Sequence, residues 1–401
     1  MFEGTALSKQ DNKKKQKHTT HHIRHKFFYR LLRPLVGIFL KCKFRYKYKK
    51  AKHLPKNYIV LSNHTTDFDP IFVSVSFKKQ MYFVASEHLT RWGKTFKLLD
   101  FAFNPIIRYK GTVASSTVME VLRRVKHGEN VCLFAEGVRT WDGETGTILP
   151  STAKMIKSAK CGLVTYKIVG GYFVSPNWSE GSKTRKGKIS GSVVNVYTAE
   201  QLAQMTEEEV YKIINNDLYE NAYETQSKEM HKYKGKNLAE KLENLIFICP
   251  HCKAHDTLKS TNNTVTCSKC NKEFKYNEYG MLEGIPYDTV YKLARWQEEQ
   301  ISEDIKNQIP YTIPEASIYK IERNHSKELL SSGELSFDTE KLKCGTIEFS
   351  SVDIQDMAIY GRHGIVFTHD NLYYEILPNK NYCALKYILY FKHLKDIKSN
   401  N

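Results

Sequence analysis

Apolar residues recur along the chain with two periods, and the alternation between them lays out its elements. Short runs rich in Val, Ile, Tyr and Phe at Tyr58–Leu61, Met81–Ala85, Val131–Phe134, Leu163–Val169 and Gly187–Tyr197 read as strands. Between them, Asp69–Phe77, Thr95–Leu99, Ser115–His127 and Ser151–Ala159 carry helical spacing. Strand–helix alternation of this kind predicts an α/β domain with a central sheet flanked by helices over 57–243. Its last part, Thr198 to Glu243, reads as charged helix with a start at Thr206-Glu-Glu-Glu209.

Before that domain, residues 1–26 are polar and rich in Lys and His, the composition of a disordered basic arm. Phe27, Phe28, Leu31, Leu32, Leu35, Ile38 and Phe39 then recur at helical spacing with cations between them. Such a helix either lies in a bilayer interface, apolar face down, or packs on its own domain. Lys41–Lys56 holds eight Lys or Arg and no acid. It reads as a segment drawn to an anionic leaflet or as a solvated basic strand. Residues 27–56 are thus the candidate membrane-facing segment. No apolar run reaches the roughly 20 residues that span a bilayer, and no secretory signal is evident.

C-terminal to the α/β part come a cysteine-rich stretch over 244–282, a helical linker over 283–313, and a β-rich region over 314–401 that ends in an amphipathic helix. Several antiparallel strands closed by one terminal helix suggest a pleckstrin-homology-like domain.

Composition sharpens this outline. With 401 residues and 41% hydrophobic content the chain can build two or three cores. A formal net charge of +18 points to an anionic partner, either nucleic acid, an anionic membrane surface or a phosphorylated substrate. Four of the nine cysteines form two C-x-x-C units and the rest are scattered, which fits a reducing compartment and one metal site better than a disulfide framework. Cys249-Pro-His-Cys252 and Cys267-Ser-Lys-Cys270 stand fourteen residues apart, the pattern of a four-cysteine zinc ribbon. Four thiolates leave no open position on Zn2+, so the site reads as structural. His251 and His255 are nearby but are not needed as ligands.

The candidate chemistry sits at strand ends. After Tyr58–Leu61 come Ser62-Asn63-His64, with Asp69 five residues past the histidine, an imidazole with a carboxylate placed to orient it as a general base. A second such spacing, His251 and Asp256, lies in the cysteine cluster, so spacing alone says little. Context adds more: Ile106-Ile-Arg-Tyr-Lys-Gly111 ends a strand on Arg108 and Lys110, and Phe134-Ala-Glu-Gly-Val-Arg139 ends another on Glu136, Gly137 and Arg139. Glycine lets backbone N–H groups approach an anion, and arginine grips phosphate bidentately.

This ordered series resembles the motifs of the glycerolipid acyltransferases, and most nearly the 1-acyl-glycerol-3-phosphate (lysophosphatidate) acyltransferase family, over roughly residues 50–200. Leu163–Gly171 falls where that family has a fourth motif. The resemblance implies that His64 and Asp69 are catalytic and that Asn63, Arg108, Lys110, Glu136, Gly137 and Arg139 bind the acceptor. It implies direct acyl transfer from acyl-CoA or acyl-carrier protein to a lysophospholipid hydroxyl, with no catalytic metal or organic cofactor. Asp67, nearer to His64, reads as a helix cap. Ala135 in place of the family's Pro, the Thr140-Trp141-Asp142 ending in place of its Ser, and Thr165-Tyr166 where Pro is common leave the acceptor open. The implied enzyme is cytoplasmic, peripheral on the inner face of a membrane, with no nucleic-acid partner. Two other readings remain: a nucleic-acid-binding zinc-ribbon protein, and an inactive lipid-binding homologue. Cations concentrated before Lys56 argue against the first, and intact His64 and Asp69 against the second.

Overall fold

The structure, a computed structural model, describes residues 3–108, 115–179, 184–322, 326–361, 363–379 and 382–399. It opens on a long helix, α1 (Glu3–Phe44). Residues 3–26 are therefore helical where an irregular arm was expected. Lys and Gln are good helix formers, and extending a formed helix by one residue costs far less than nucleating a new one. Tyr29, Leu40 and Phe44 are buried, while Phe27, Leu31, Leu35 and Ile38 stay more than half exposed. The helix has two apolar faces, and only one is packed on its own domain. Leu98 and Phe101 on α3 (Lys94–Phe103) add to the exposed one, with Phe101 edge-on to Phe28 and under the Arg24 guanidinium.

The central sheet contains β1 (Lys47–Tyr48), β2 (Tyr58–Ser62), β3 (Met81–Ser86), β4 (Ile106–Arg108), β5 (Asn130–Phe134), β6 (Gly162–Val169) and β7 (Ser190–Tyr197), in the order β1-β7-β6-β2-β5-β3-β4. β2, β3, β4, β5 and β6 pair in parallel and β7 runs antiparallel to β6. β2 sits in the middle and is buried throughout. Its side chains alternate between two cores: Ile59 and Leu61 pack with α4 (Ser115–Lys126), α5 (Ser151–Ala159) and α8 (Glu207–Leu218), whereas Tyr58 and Val60 join the core that includes Leu40, Phe44 and Phe72. This is the period-2 pattern of a strand covered on both faces. α2 (Asp69–Ser76) starts one loop after β2, with Pro70 in its first turn, where a missing N–H does no harm.

Beyond β7, α7 (Ala199–Gln204) and α8 each begin with a capping box, Thr198/Gln201 and Thr206/Glu209. α6 (Gly171–Val174) and α9 (Ala222–Lys228) are short, and helix stops at Lys228 rather than running on towards Glu243. The cysteine-rich stretch folds as four antiparallel strands, β8 (Leu258–Thr261), β9 (Thr264–Cys267), β10 (Glu273–Tyr276) and β11 (Leu282–Glu283). Helix α10 (Val290–Lys306) follows. The C-terminal region is a seven-stranded antiparallel sheet made of β12 (Tyr311–Ile321), β13 (Lys327–Phe337), β14 (Lys341–Cys344), β15 (Ile347–Ser350), β16 (Asp356–Tyr360), β17 (Gly364–His369) and β18 (Leu372–Pro378), in the order β15-β14-β13-β12-β18-β17-β16, and it ends in α11 (Leu385–Ser399).

One apolar core joins these parts, running from Val60 and Phe72 through Trp178 to Ile248, Leu293, Ile318 and Tyr387. A single amide fixes α10 to the segment that enters the cysteine cluster. Fully buried Gln297 accepts the N–H groups of Phe247 (2.8 Å) and Ile248 (3.0 Å) at Oε1 and donates to the Leu245 carbonyl (3.0 Å). Gln297→Leu keeps the volume and orphans three backbone groups, each costing about 1–3 kcal/mol when left unsatisfied in the interior. Denaturant unfolding of that variant should show a loss of about 3 kcal/mol or more; a loss below about 1 kcal/mol would mean that this junction is not what fixes α10.

Candidate active site

β2 ends at Ser62, and the next two residues are clamped from both neighbouring strands. The Asn63 amide donates to the Ile168 carbonyl and accepts the Ile168 N–H, each at 2.8 Å, which ties the loop to β6. On the β5 side, the His64 N–H donates to Glu136 Oε1 (2.6 Å) and the Thr140 N–H donates to the His64 carbonyl (2.9 Å). The histidine main chain therefore has no freedom to drift.

Its ring is equally constrained. Nδ1 lies 2.9 Å from Asp69 Oδ2, and the imidazole stacks on Phe134 with centroids 4.2 Å apart and planes at 20°. Asp69 is fully buried at the start of α2. Besides the imidazole, its carboxylate accepts the N–H groups of Thr65 (2.5 Å) and Thr66 (2.9 Å) and the hydroxyls of Thr65 (3.2 Å) and Thr66 (2.7 Å). Such a carboxylate acts only as an acceptor towards the ring, so Nδ1 carries the proton and Nε2 keeps its lone pair. The side chain of His64 is 19% exposed, so the ring edge meets solvent while its orienting acid does not. The arrangement is that of a general base held in one tautomer.

Three of the other expected acceptor ligands do different work. Glu136 spends both oxygens on main-chain donors, His64 N–H and Gly146 N–H (2.7 Å). Burial pushes its carboxyl up to about 8, opposed by those two donors. With both oxygens taken by main-chain donors, Glu136 is a clamp on the histidine loop. Asn63 likewise faces β6. Gly137 has φ +73°, a left-handed turn conformation that glycine adopts freely, but its N–H donates to the Phe134 carbonyl (3.1 Å) and is not presented to an anion.

Among the cations, Arg139 stands nearest to the histidine, one residue before the Thr140 bond to His64. Its Nε pairs with Asp67 at 3.2 Å, so Asp67 is an ion-pair partner and not the expected helix cap; α2 has no side-chain cap bond. Asp67 is 64% exposed and Arg139 only 16%, so the pair lies at the edge of the site with its acid open to solvent. Arg108 ends β4, three strands from β2 in the sheet, where it is half-buried. Lys110 lies outside the described residues.

Gly170 and Gly171, the residues after β6, have a part that no motif spacing reveals. A Cβ on Gly171 would overlap the Thr65 hydroxyl, and one on Gly170, at φ +81°, would overlap the Lys188 carbonyl. Their bare backbone lets the end of β6 pack directly behind the two threonines that hold Asp69. The signal in the sequence was a Gly-Gly pair at a strand end.

In the cysteine-rich region the Sγ atoms of Cys249, Cys252, Cys267 and Cys270 all lie within 4.8 Å of one another. The two knuckles are alike: Lys253 N–H donates to the Cys249 carbonyl and Asn271 N–H to the Cys267 carbonyl, both at 2.9 Å, and both residues are left-handed (φ 57° and 55°). The cluster can hold a metal ion. His255 turns away to Asp304 (3.2 Å), and Asp256 pairs with Lys386 (2.5 Å), so the second His-to-Asp spacing forms no dyad.

Residues 45–169 match the family model described as Acyltransferase, a span that contains His64, Asp69, Glu136 and Arg139. The chain carries an acyltransferase domain. Among solved structures it is similar to the 1-acyl-sn-glycerophosphate (LPA) acyltransferase PlsC from Thermotoga maritima, at 15% identity over 48% of this chain and 79% of that one, with a TM-score of 0.37. No curated protein matches the chain.

Gly171→Ala introduces a methyl where Thr65 already sits. It should loosen the Asp69 network and lower acyltransferase turnover about tenfold or more, with little change in melting temperature, because a roughly 1.4 kcal/mol change in barrier is tenfold in rate. Wild-type turnover in that variant would show that Thr65 does not hold the dyad.

Proposed function

We propose that this chain transfers an acyl group from a thioester, acyl-CoA or acyl-carrier protein, to the free hydroxyl of a lysophosphatidate-like glycerophospholipid in phospholipid biosynthesis. The observation that carries the reading is the His64–Asp69 pair, 2.9 Å apart at a strand end, inside the span that matches an acyltransferase domain. Nε2 of His64 takes the hydroxyl proton as the oxygen attacks the thioester carbonyl, and Asp69 stabilises the imidazolium that results. Collapse of the tetrahedral oxyanion expels the thiolate, which recovers the proton from Nε2. In this reading transfer is direct, with no acyl-enzyme. Arg139, with Arg108 and Lys110, holds the acceptor's phosphate.

The substrate is amphiphilic, and the exposed faces of α1 and α3 fit a lipid surface. Ile23, Phe27, Leu31, Leu35 and Ile38 follow one another at three- or four-residue steps, with Arg30 and Lys26 between them. No described helix is long and apolar enough to cross a membrane, and this reading makes the protein peripheral on the inner, cytoplasmic face. The four thiolates bind Zn2+ as a closed structural site, the donor set that this ion takes tetrahedrally.

His64→Ala should lower transfer of a labelled acyl group to lysophosphatidate by about a hundredfold or more, with fold and metal content intact. Retained activity would remove His64 as the base. Metal analysis of the purified protein should find one zinc per chain, and a chelator should lower the melting temperature, because metal binding energy is folding energy. A metal-free protein of unchanged stability would sink the ribbon assignment.

A further inference from the structure

A groove of about 420 Å³ is lined by Arg45, Lys47, Lys186, Lys188, Lys232 and Lys234, with Gly187 and His231. No acid lines it. Glu229 reaches Lys188 (3.0 Å) and His231 (3.1 Å), and Glu278 reaches Lys232 (3.5 Å), which leaves the lining strongly positive. Lys186 and Lys234 are direct antiparallel partners, joined by main-chain bonds of 2.8 and 2.9 Å. Like charges set opposite one another in a ladder destabilise it. Backbone is also arranged around this feature: Arg45 is held left-handed at φ 52°, and a Cβ on Gly187 would enter the Tyr233 ring. A fold that tolerates such repulsion and strain in a concave site is suited to a ligand carrying several negative charges.

The groove lies on the same edge of the sheet as His64. Ser190, at the start of β7, pairs with Val169, at the end of β6, and with Lys47 of β1. β6 in turn runs parallel to β2. Lys186–Lys188 therefore flank the strand edge from which His64 projects, two to three strand spacings away, roughly 10–14 Å. The wall between them is continuous: Gly170 abuts the Lys188 carbonyl and Gly171 abuts Thr65. An extended phosphopantetheine arm is long enough to cross that gap.

We propose that this groove binds the phosphate-rich nucleotide end of a coenzyme A thioester and leaves the thioester carbonyl at His64. This rests on the thioester-donor reading above and assigns the donor's anchoring to residues 186–188 and 232–234, beyond the span that matches the acyltransferase family. A compact polyanion fits a concavity of this size, whereas a bilayer surface would be met by the exposed face of α1.

The test is calorimetric titration of the full-length protein with coenzyme A and with 3′-phosphoadenosine 5′-phosphate at low and high salt. Wild type and His64→Ala should bind both, more weakly as salt rises. The double variant Lys186→Glu/Lys234→Glu, and the milder Lys186→Gln/Lys234→Gln, should weaken binding by about tenfold or more and by a smaller factor, respectively. Both should raise the donor KM while leaving the acceptor KM and sedimentation with phosphatidylglycerol vesicles unchanged. Absent coenzyme A binding, or binding indifferent to both double variants in protein of unchanged melting temperature, overturns the proposal. Loss of vesicle binding with coenzyme A binding intact also overturns it and assigns the groove to lipid head groups. Groove-dependent coenzyme A binding without acyl transfer to any lysophospholipid would sustain the groove and refute the acceptor reading instead.

Discussion

A carboxylate buried as completely as Asp69 is costly unless its oxygens are met, and here they receive five donors from three residues. That requirement shapes the loop from His64 to Asp69. Thr65 and Thr66 must turn both main chain and side chain inward, Thr66 must also accept from Phe68 N–H (3.0 Å), and α2 must begin where its first-turn dipole favours a negative charge. The position of the imidazole is the by-product: with four donors fixing the acid, Nδ1 has one place to go. The orientation of Nε2 then depends on a network of donors behind the ring.

The second constraint runs through Glu136, whose two oxygens join the histidine loop to the turn at Gly146. Gly146 directly follows the segment that α10 holds. Arg295 pairs with Asp142, Tyr291 donates to Glu144 Oε1 (3.3 Å), and Gln297 ties the same helix to the entry of the cysteine cluster. The cysteine cluster and the C-terminal sheet are thus connected to the loop beside His64 by a short chain of polar contacts on a shared core. α10 thus contacts both the segment beside the histidine loop and the entry of the cysteine cluster.

Much of this was legible in the sequence where a signal is local. Strand and helix patterns placed β2, α2, β5, α5 and β6 within a residue or two; for β2, a strand buried on both faces is written as the unbroken apolar run Tyr58–Leu61. The C-x-x-C pairs announced their cluster for the same reason. What was not legible depends on contacts across seventy or more residues. Nothing near Glu136 says that its partner is His64 N–H, and nothing near Asn63 says that its amide will serve Ile168. The family resemblance implied substrate contact, and distant backbone claimed both side chains. His251 and Asp256 make the converse point: the right spacing without a strand end and threonine donors gives no dyad, since Asp256 finds Lys386.

Charge is where structure most changes the picture. Read along the chain, Lys41–Lys56 is one basic strip suited to an anionic leaflet. In three dimensions it divides. Lys43 lies over the rings of Phe39, Phe44 and Phe68, while Arg45 and Lys47 turn into the groove with four lysines from 186–188 and 232–234. Cations contributed by segments nearly two hundred residues apart converge on one concavity, against their mutual repulsion. Non-specific attraction to a membrane needs no such convergence, because dispersed charge serves it equally well. A bound multivalent anion is what would make the convergence favourable, and the groove lies on the same edge of the sheet as His64.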